Sequence, residues 1–438
     1  MSPIRFGDRS DPRNDELRSR FDQDYDRVIF SHPFRKLQDK TQVFPLPEDD
    51  FVHTRLTHSL EVSTVGRSLG KQVGKAVIEK YNLGESQLTT QHFGSVVAAA
   101  CLAHDIGNPP FGHSGEEAIS AYFAMNQHGQ KFKGHVNASE WEDLINFEGN
   151  AQGFSLLNNK AFGGLRLTYA TLAAFTKYPK SALAPAEEGR RSQKKFGFYV
   201  TNEDDFSALA KAMNIPSLSK GSYLRHPLAF LVEAADDICY SIIDLEDGAR
   251  LGLVEMKDTI TLVGGVIGDK FSRGKLEKIK NKEEKLGILR AMSINQLVME
   301  CVDCFLNNEE KILQGQFDHA LTDDIPSAPF LRKIIDLSIK KIYRSRQVLE
   351  KEAAGFETLE KLMEAFCGAC YARFILKDTP HPKYEAIYRL LPDDVQHRLG
   401  TNTDVYKALR IIIDFISGLT DKSAMKLYRT IYGYSTPL

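Results

Sequence analysis

The sequence predicts a mainly α-helical protein with at most a few short β-strands. Apolar residues recur at intervals of three and four in most segments, which is the period of one face of a helix. Alternating, strand-like text is scarce. The chain has 438 residues, of which 42% are hydrophobic and 26% charged, so it can bury a sizeable core. That length allows roughly two to three average domains or one large helical domain.

The predicted helices follow one another along most of the chain. Apolar residues recur at helical spacing over Val62–Val77, Phe93–Ala100 and Leu228–Cys239. Helices of this kind bury one face against their neighbours and leave the other in water. The same period continues towards the C-terminus in residues 288–313, 330–349 and 359–376.

Strands and boundaries leave weaker signals than the helices. Phe196–Val200 (FGFYV) is the best strand candidate, and Thr41–Phe44 is a weaker one. Between residues 270 and 285 the composition shifts to lysine and glutamate, which indicates a boundary. We therefore expect an N-terminal core over residues 1–255 and a C-terminal helical region over residues 256–438.

The charge balance and the termini exclude several classes of protein. The chain carries 56 Lys+Arg and 58 Asp+Glu, a net charge of -2, which gives no general argument for binding nucleic acid or anionic membranes. The charged N-terminus lacks the apolar region of a secretory signal, and no run approaches the ~18 apolar residues that span a bilayer. Six cysteines are too few for a disulfide scaffold in a chain of this length. We expect a cytoplasmic protein without a membrane partner.

A histidine and an aspartate end the second predicted helix, in the text ACLAHDIGNPPFGHSGEE. His104 continues the apolar face that begins at Phe93, and Gly107 with the following proline pair stops the helix. His104 and Asp105 can direct a ring nitrogen and a carboxylate oxygen at one cation. On their own they would be better explained as a hydrogen-bonded core histidine and its neighbour.

Two further residues favour a metal site. His58 projects from the apolar face of the first predicted helix, and Asp236 lies inside the hydrophobic text EAADDICY. A buried carboxylate needs a cation or a network of donors. Asp237 could take the place of Asp236. Two histidines and two aspartates suit Mn²⁺, Mg²⁺, Fe²⁺ or Zn²⁺ and leave coordination positions for water and substrate.

The ordered set of these motifs is similar to a known family. The pattern H…HD…D resembles the HD-domain metal phosphohydrolases. RLTHSLEV, HDIGNPPFGHSGEE, FEGNAQ, LTYATLAAFTKYP and EAADDICYSIIDLEDG resemble the bacterial deoxynucleoside triphosphate triphosphohydrolases of the dGTPase-like branch, over residues 34–250. The resemblance implies an HD-domain helical core whose C-terminal region completes the pocket and the subunit contacts. It also implies cleavage of a dNTP at the α-phosphate, which releases a deoxynucleoside and triphosphate.

The same resemblance implies roles for individual residues. Asp236 rather than Asp237 keeps the family's register, whereas Asn108 stands where some relatives carry a histidine. The implied metal ligands are His58, His104, Asp105 and Asp236, the catalytic pair is His113 with Glu116, and the substrate contacts are Arg55, Gln42, Tyr240 and Asp244. The nitrogen of His113 could accept a proton from water or donate one to the departing 5′ oxygen, and the sequence leaves both directions open.

Partners and alternatives follow from the same family. Mn²⁺ or Mg²⁺ is the favoured metal, and dGTP the favoured substrate. The resemblance also implies a homo-oligomer, with a hexamer among the expected states, a dNTP as allosteric activator, and single-stranded DNA as a minor candidate partner. The alternatives are another HD-domain nucleotide phosphohydrolase or phosphodiesterase, and a nucleotide sensor without catalysis. Two Cys-x-x-Cys pairs, Cys301/Cys304 and Cys367/Cys370, lie in apolar helical text and are better explained as small core residues than as zinc ligands.

Overall fold

The computed structural model describes residues 1–8, 18–43, 53–86, 88–159, 164–376, 381–401 and 404–434. Within these ranges the predicted helical class is confirmed, with one short two-stranded antiparallel sheet beside the helices. The first part of the chain forms α1 (Arg20–Ile29), α2 (His32–Lys36), α3 (Arg55–Lys80), α4 (Thr90–Ala103), α5 (His113–Met125), α6 (Gln127–Gln130), α7 (Ala138–Ile145), α8 (Gly149–Leu157) and α9 (Tyr169–Phe175).

The middle and C-terminal parts continue the helical pattern, joined by short 3₁₀ and π turns. The middle part forms α10 (Glu203–Ala212), β1 (Ser217–Ser219), β2 (Ser222–Tyr223), α11 (Pro227–Arg250), α12 (Met256–Ile267), α13 (Arg273–Glu277), α14 (Lys282–Asn307), α15 (Glu309–Leu313) and α16 (Ala328–Ser338). The last part forms α17 (Arg346–Tyr371), α18 (Pro382–Tyr388), α19 (Asp393–Gly400), α20 (Val405–Ser417) and α21 (Asp421–Tyr432). Among the described helices, none combines the length and apolar character needed to cross a bilayer.

The centre of the fold is a close packing of α3 against α4. Glycines on α3 make this approach possible, because a Cβ at Gly66 would lie 2.4 Å from Sγ of Cys101, and one at Gly70 would lie 2.8 Å from the carbonyl oxygen of Phe93. Threonine side chains cap the N-termini of both helices. The result holds the start of α3 beside the end of α4.

Two hydrophobic cores stabilise the helices around this centre. The larger core joins α3, α4 and α11 to α12, α14 and α16, and includes the fully buried Val62, Leu231 and Leu297. The second core joins α5 and α7 to the C-terminal α17–α20, with Phe123 and Phe366 at its interior. Burial of each such side chain contributes about 1.5 to 3 kcal/mol. All six cysteines are free and buried, as expected of small core residues.

A charged histidine fixes the start of α3. Nδ1 of His53 lies 2.9 Å from a carboxylate oxygen of Asp247 on α11, and its Nε2 lies 3.3 Å from Glu61. Burial lowers the pKa of His53, but the hydrogen bonds to Asp247 and Glu61 outweigh burial and raise the pKa to about 10. The imidazolium therefore ties α3 to α11 at neutral pH.

The strand prediction for Phe196–Val200 was wrong. The segment has no strand partner within the described residues, and Phe198 instead stacks on Phe206 of α10 with ring centroids 4.4 Å apart. Its aromatic side chains pack in the core between helices instead of covering one face of a sheet. For the weaker candidate Thr41–Phe44, Thr41 forms an isolated bridge with Thr54, and Phe44 lies outside the described residues.

Candidate active site

Three helices bring the predicted metal ligands together. His58 lies in the first turn of α3, His104 and Asp105 directly follow α4, and Asp236 lies in the middle of α11. His58, His104 and Asp105 each offer a ligand atom, and these atoms all lie within 4.8 Å of one another. Oδ1 of Asp236 lies 3.3 Å from Nε2 of His58 and 3.4 Å from Nε2 of His104. All four residues therefore converge on one point.

The donor atoms of this group suit a divalent cation. Oδ2 of Asp105 is buried and has no hydrogen-bond partner, which is costly unless a cation occupies the point that it faces. Nδ1 of His104 lies 2.7 Å from the carbonyl oxygen of Cys101 and donates to it, which leaves the lone pair of Nε2 free to bind a metal. The other oxygen of Asp105 is held by Arg55 at 2.9 Å and by the amide of Asn108.

Asp236 and Asp237 point in different directions. The carboxylate of Asp237 accepts a hydrogen bond of 2.8 Å from Oγ1 of Thr322, away from the histidine rings. Asp236 faces the rings, and its second oxygen lies 2.6 Å from Nζ of Lys177. Burial alone would raise the pKa of Asp236, but Lys177 and the two rings hold it well below its usual range. Asp236 is therefore ionised and available at neutral pH.

His113 and Glu116 form a hydrogen-bonded pair at the start of α5. Nδ1 of His113 lies 3.1 Å from Oε2 of Glu116, and Oε1 of Glu116 accepts a hydrogen bond from the backbone N–H of Gly149. The hydrogen bond to Glu116 raises the pKa of His113. Burial would raise the pKa of Glu116, but His113 and Lys195 hold it below its usual value. The His113 side chain is 73% exposed, so a substrate can reach it.

Three of the four predicted substrate residues line a cavity of about 270 Å³. Gln42, Arg55, His113 and Tyr240 all contribute to its wall. Oε1 of Gln42 is buried without a hydrogen-bond partner, so it can accept a bond from a ligand hydroxyl. Arg55 connects this cavity to the metal ligands, because the same guanidinium contacts Asp105.

Asp244 is not part of the wall of this cavity but lies directly behind it. Its Oδ2 accepts a hydrogen bond of 2.6 Å from the hydroxyl of Tyr343, and the ring of Tyr343 stacks on Tyr240 with centroids 5.6 Å apart. Burial raises the pKa of Asp244 to about 7. Tyr343 lies in a π turn between α16 and α17 and lines the cavity.

Three residues of the site were missed by sequence reasoning. Lys177 and Lys195 place ammonium groups beside Asp236 and beside Glu116, at 2.6 Å and 3.9 Å respectively. Lys177 stands in the motif TKYP, which could have drawn attention to it, whereas Lys195 lies in an unremarkable polar run. Tyr343 is far along the chain in lysine-rich text that gives no signal.

The loop between Asp105 and His113 has an unusual backbone. Phe111 adopts φ = 62°, in the left-handed region that costs a non-glycine residue about 1 to 3 kcal/mol. Gly112 follows at φ = 60°, and a Cβ there would lie 2.8 Å from Nη2 of Arg55. The loop therefore has to be held in place by its surroundings so that α5 begins with His113 facing the cavity.

Two family models and several relatives match this chain. The family described as "HD domain" matches residues 55–143, and the family described as "Phosphohydrolase-associated domain" matches residues 331–430. Proteins named "Deoxyguanosinetriphosphate triphosphohydrolase-like protein" from Synechocystis sp. and Pseudomonas aeruginosa are each 38% identical to this chain. The match to the Synechocystis protein covers 99% of this chain and 98% of that protein, and the match to the Pseudomonas protein covers 97% of this chain and 96% of that protein. A protein from Cronobacter sakazakii named "Deoxyguanosinetriphosphate triphosphohydrolase" is 30% identical over 94% of the chain and 93% of its own length.

Proposed function

Because the chain belongs to the HD-domain family of deoxyguanosinetriphosphate triphosphohydrolases and their relatives, we propose that it hydrolyses a deoxynucleoside triphosphate at the α-phosphate. In this reaction the oxygen of water bonds to the α-phosphorus, and the bond from phosphorus to the 5′ oxygen breaks. The products are a deoxynucleoside, which takes up a proton at the 5′ oxygen, and inorganic triphosphate. The observation that carries the proposal is the convergence of two histidines and two aspartates beside a cavity that is lined by His113, whose ring is hydrogen-bonded to Glu116.

A divalent cation fits the proposed ligands His58, His104, Asp105 and Asp236. When bound, such a cation acts as a Lewis acid towards a phosphate oxygen. The mixed nitrogen and carboxylate donors suit Mn²⁺, Mg²⁺, Fe²⁺ or Zn²⁺. The family resemblance makes Mn²⁺ or Mg²⁺ the favoured metal. Arg55 and Asn108 orient Asp105, and Lys177 orients Asp236, so the two carboxylates are held by neighbours rather than by solvent.

Basic side chains around this centre provide binding for the phosphates. Arg55, Lys177 and Lys195 lie beside Asp105, Asp236 and Glu116, and their charges complement a triphosphate. His113 is the proposed proton-transfer group, because its ring lines the cavity and its Nδ1 is held by Glu116, so that Nε2 is the nitrogen proposed to transfer the proton. The hydrogen bond to Glu116 raises the pKa of the ring above its ordinary value.

The opposite wall of the cavity is proposed to bind the sugar. Gln42 offers an unpaired carbonyl oxygen, Tyr240 offers a ring face, and Asp244 lies behind them. Tyr343 adds a hydroxyl from the C-terminal region, which supports the proposed division into a catalytic core (residues 1–255) and a C-terminal region (residues 256–438) that completes the pocket.

Product analysis tests this function. Each of the four dNTPs should be assayed alone and in pairs, with Mg²⁺ and with Mn²⁺, and the inorganic product identified by ³¹P NMR. Triphosphate as the product supports the proposal, with dGTP as the expected preferred substrate. Pyrophosphate or orthophosphate would instead indicate another HD-domain phosphohydrolase or phosphodiesterase. Binding of dNTPs by metal-loaded protein without turnover, even in pairs, would indicate a sensor.

The same assay and a mass measurement test the proposed assembly. A second dNTP that accelerates hydrolysis of the first would support allosteric activation. Light scattering coupled to size exclusion would test the homo-oligomer, with a hexamer among the expected states. Binding to a labelled single strand of DNA tests the minor candidate partner. A monomer, activity indifferent to a second dNTP, or no DNA binding would remove the respective proposal.

A further inference from the structure

A single buried carboxylate near the C-terminus connects both walls of the cavity. Asp421 is the first residue of α21, is 3% exposed, and lies far from the metal ligands in the sequence. Its Oδ2 accepts hydrogen bonds from the backbone N–H of Thr41 at 3.0 Å and from the hydroxyl of the same residue. Its Oδ1 accepts a hydrogen bond of 3.0 Å from the backbone N–H of Phe111. We call these three residues the carboxylate clamp.

Each partner in the clamp is the neighbour of a cavity residue. Thr41 precedes Gln42, which lines the cavity and whose Oε1 is buried without a hydrogen-bond partner. Phe111 lies two residues before His113 and has a left-handed backbone conformation. The two oxygens of one carboxylate therefore set the separation between the sugar wall and the proton-transfer wall. Asp421 stands at the N-terminus of α21, where the helix dipole stabilises the negative charge of the carboxylate that accepts these hydrogen bonds.

A second brace runs beside the clamp and involves the same three segments. Nζ of Lys40, which is 4% exposed, donates to the carbonyl oxygens of Asn108 at 2.6 Å and Ser417 at 2.8 Å. Asn108 in turn holds the carboxylate of Asp105. The N-terminal segment, the loop after α4 and the chain from the end of α20 to the start of α21 thus form one hydrogen-bonded unit.

We propose that Asp421 is a positioning residue for the hydrolysis: it holds Gln42 and His113 at the separation that one bound nucleotide requires. The proposal rests on the proposed function, since it assigns the two walls to the sugar and to proton transfer. Asp421 does not line the cavity, so it acts through Thr41 and Phe111 and not by touching the substrate.

Asp421→Asn tests the clamp with little change in shape. The amide has one acceptor oxygen for two backbone N–H groups, so either Thr41 or Phe111 loses its partner. We expect kcat/KM for dGTP to fall about 10- to 100-fold, because a small misplacement of reacting groups has effects of that size. The ratio of kcat/KM for dGTP to kcat/KM for 2′,3′-dideoxy-GTP should fall at least about threefold, because Gln42 is no longer fixed against the 3′-hydroxyl. Metal content should stay at the wild-type value.

Asp393→Asn is the matched control. Asp393 is also the first residue of its helix, α19, but it is exposed and lies away from the cavity. Its substitution removes the same charge from the same helical position, and kcat/KM should stay within about twofold of wild type. Melting temperatures of both variants separate loss of positioning from loss of folded protein.

Several outcomes would overturn the clamp. The first is that Asp421→Asn and Asp393→Asn have the same kcat/KM. The second is that the fall in kcat/KM of Asp421→Asn is no larger than its unfolded fraction explains. The third is that kcat/KM falls while its ratio between dGTP and dideoxy-GTP stays at the wild-type value. If Asp421→Asn does not fold, Thr41→Val decides, because it removes only the hydroxyl bond. A narrowed ratio in that variant supports the clamp, and a wild-type ratio overturns it. Wild-type protein that releases no triphosphate refutes the proposed function instead.

Discussion

Glu116→Gln is a direct test of the histidine–carboxylate pair, because it removes one charge and keeps the shape of the side chain. Oε2 of Glu116 lies 3.1 Å from Nδ1 of His113, and Oε1 accepts a bond of 2.8 Å from Gly149. The glutamine carbonyl can keep the bond from Gly149. The substitution therefore chiefly removes the charged partner of His113.

The size of the effect follows from the geometry. A hydrogen bond to a charged group contributes about 1.5 to 3 kcal/mol, and about 1.4 kcal/mol corresponds to a tenfold change in rate. His113 is 73% exposed, so solvent screens the pair and the lower value applies. We expect kcat to fall about tenfold in Glu116→Gln and about 100- to 10,000-fold in His113→Ala. The double variant should be no slower than His113→Ala, because the two groups act as a unit.

The pH dependence of kcat in Glu116→Gln should shift in a defined direction. The hydrogen bond to Glu116 raises the pKa of His113, so its loss lowers that pKa. The limb of the kcat profile that reports His113 should therefore move to lower pH, whether the ring accepts or donates the proton. Triphosphate release measured from about pH 5 to pH 9 shows the limb, and metal content is measured in parallel. A limb that stays in place, or moves to higher pH, refutes the assignment of Glu116 as the partner of His113.

Three other substitutions probe the metal centre, the support of Glu116 and the charged histidine before α3. Asp105→Ala should lose bound divalent metal and turnover together, and wild-type metal content by plasma mass spectrometry would contradict the ligand assignment. Gly149→Ala places a Cβ 2.3 Å from Oδ1 of Asn108 and 2.6 Å from Oε1 of Glu116, so it disturbs the supports of Asp105 and of His113 together and should lower kcat at least about tenfold. Gly134→Ala, whose Cβ would meet nothing within 4 Å, is its control. The folded-state pKa of His53 is about 10 against an ordinary 6.5, so the stability it contributes is complete below pH 6.5 and is lost as the pH rises to 10. Between pH 6.5 and pH 10 the melting temperature of wild type should therefore fall more than that of His53→Gln. Equal falls in the two proteins would contradict this account.

Much of the helical fold was predictable because burial imposes a period on the sequence. The apolar faces around Val62, Val97 and Leu231 appear in the text and lie in the larger core. The exception, Phe196–Val200, has the composition of a strand, but its aromatic residues are needed between helices, and periodicity over five residues cannot separate the two uses.

The site was predictable where its residues sit in local motifs, and not where it depends on long-range contacts. His58, His104, Asp105 and Asp236 could be selected because buried polar residues on apolar faces need a physical reason. Tyr343 and Asp421 have no such local signature. Their roles arise from hydrogen bonds to Asp244 and to Thr41, across 99 and 380 residues of sequence. Such contacts leave no trace in the spacing of one segment.

The position of Asp421 has a consequence for how the protein becomes functional during its synthesis. His58 through Asp236 emerge from the ribosome well before α21, and α3, α4 and α11 can assemble the metal ligands at that stage. The loop carrying Phe111 and the segment carrying Thr41 gain their shared acceptor only when almost the whole chain has been translated. A nascent chain would thus form the cluster of candidate ligands early and reach the full activity proposed for it only when translation is nearly finished.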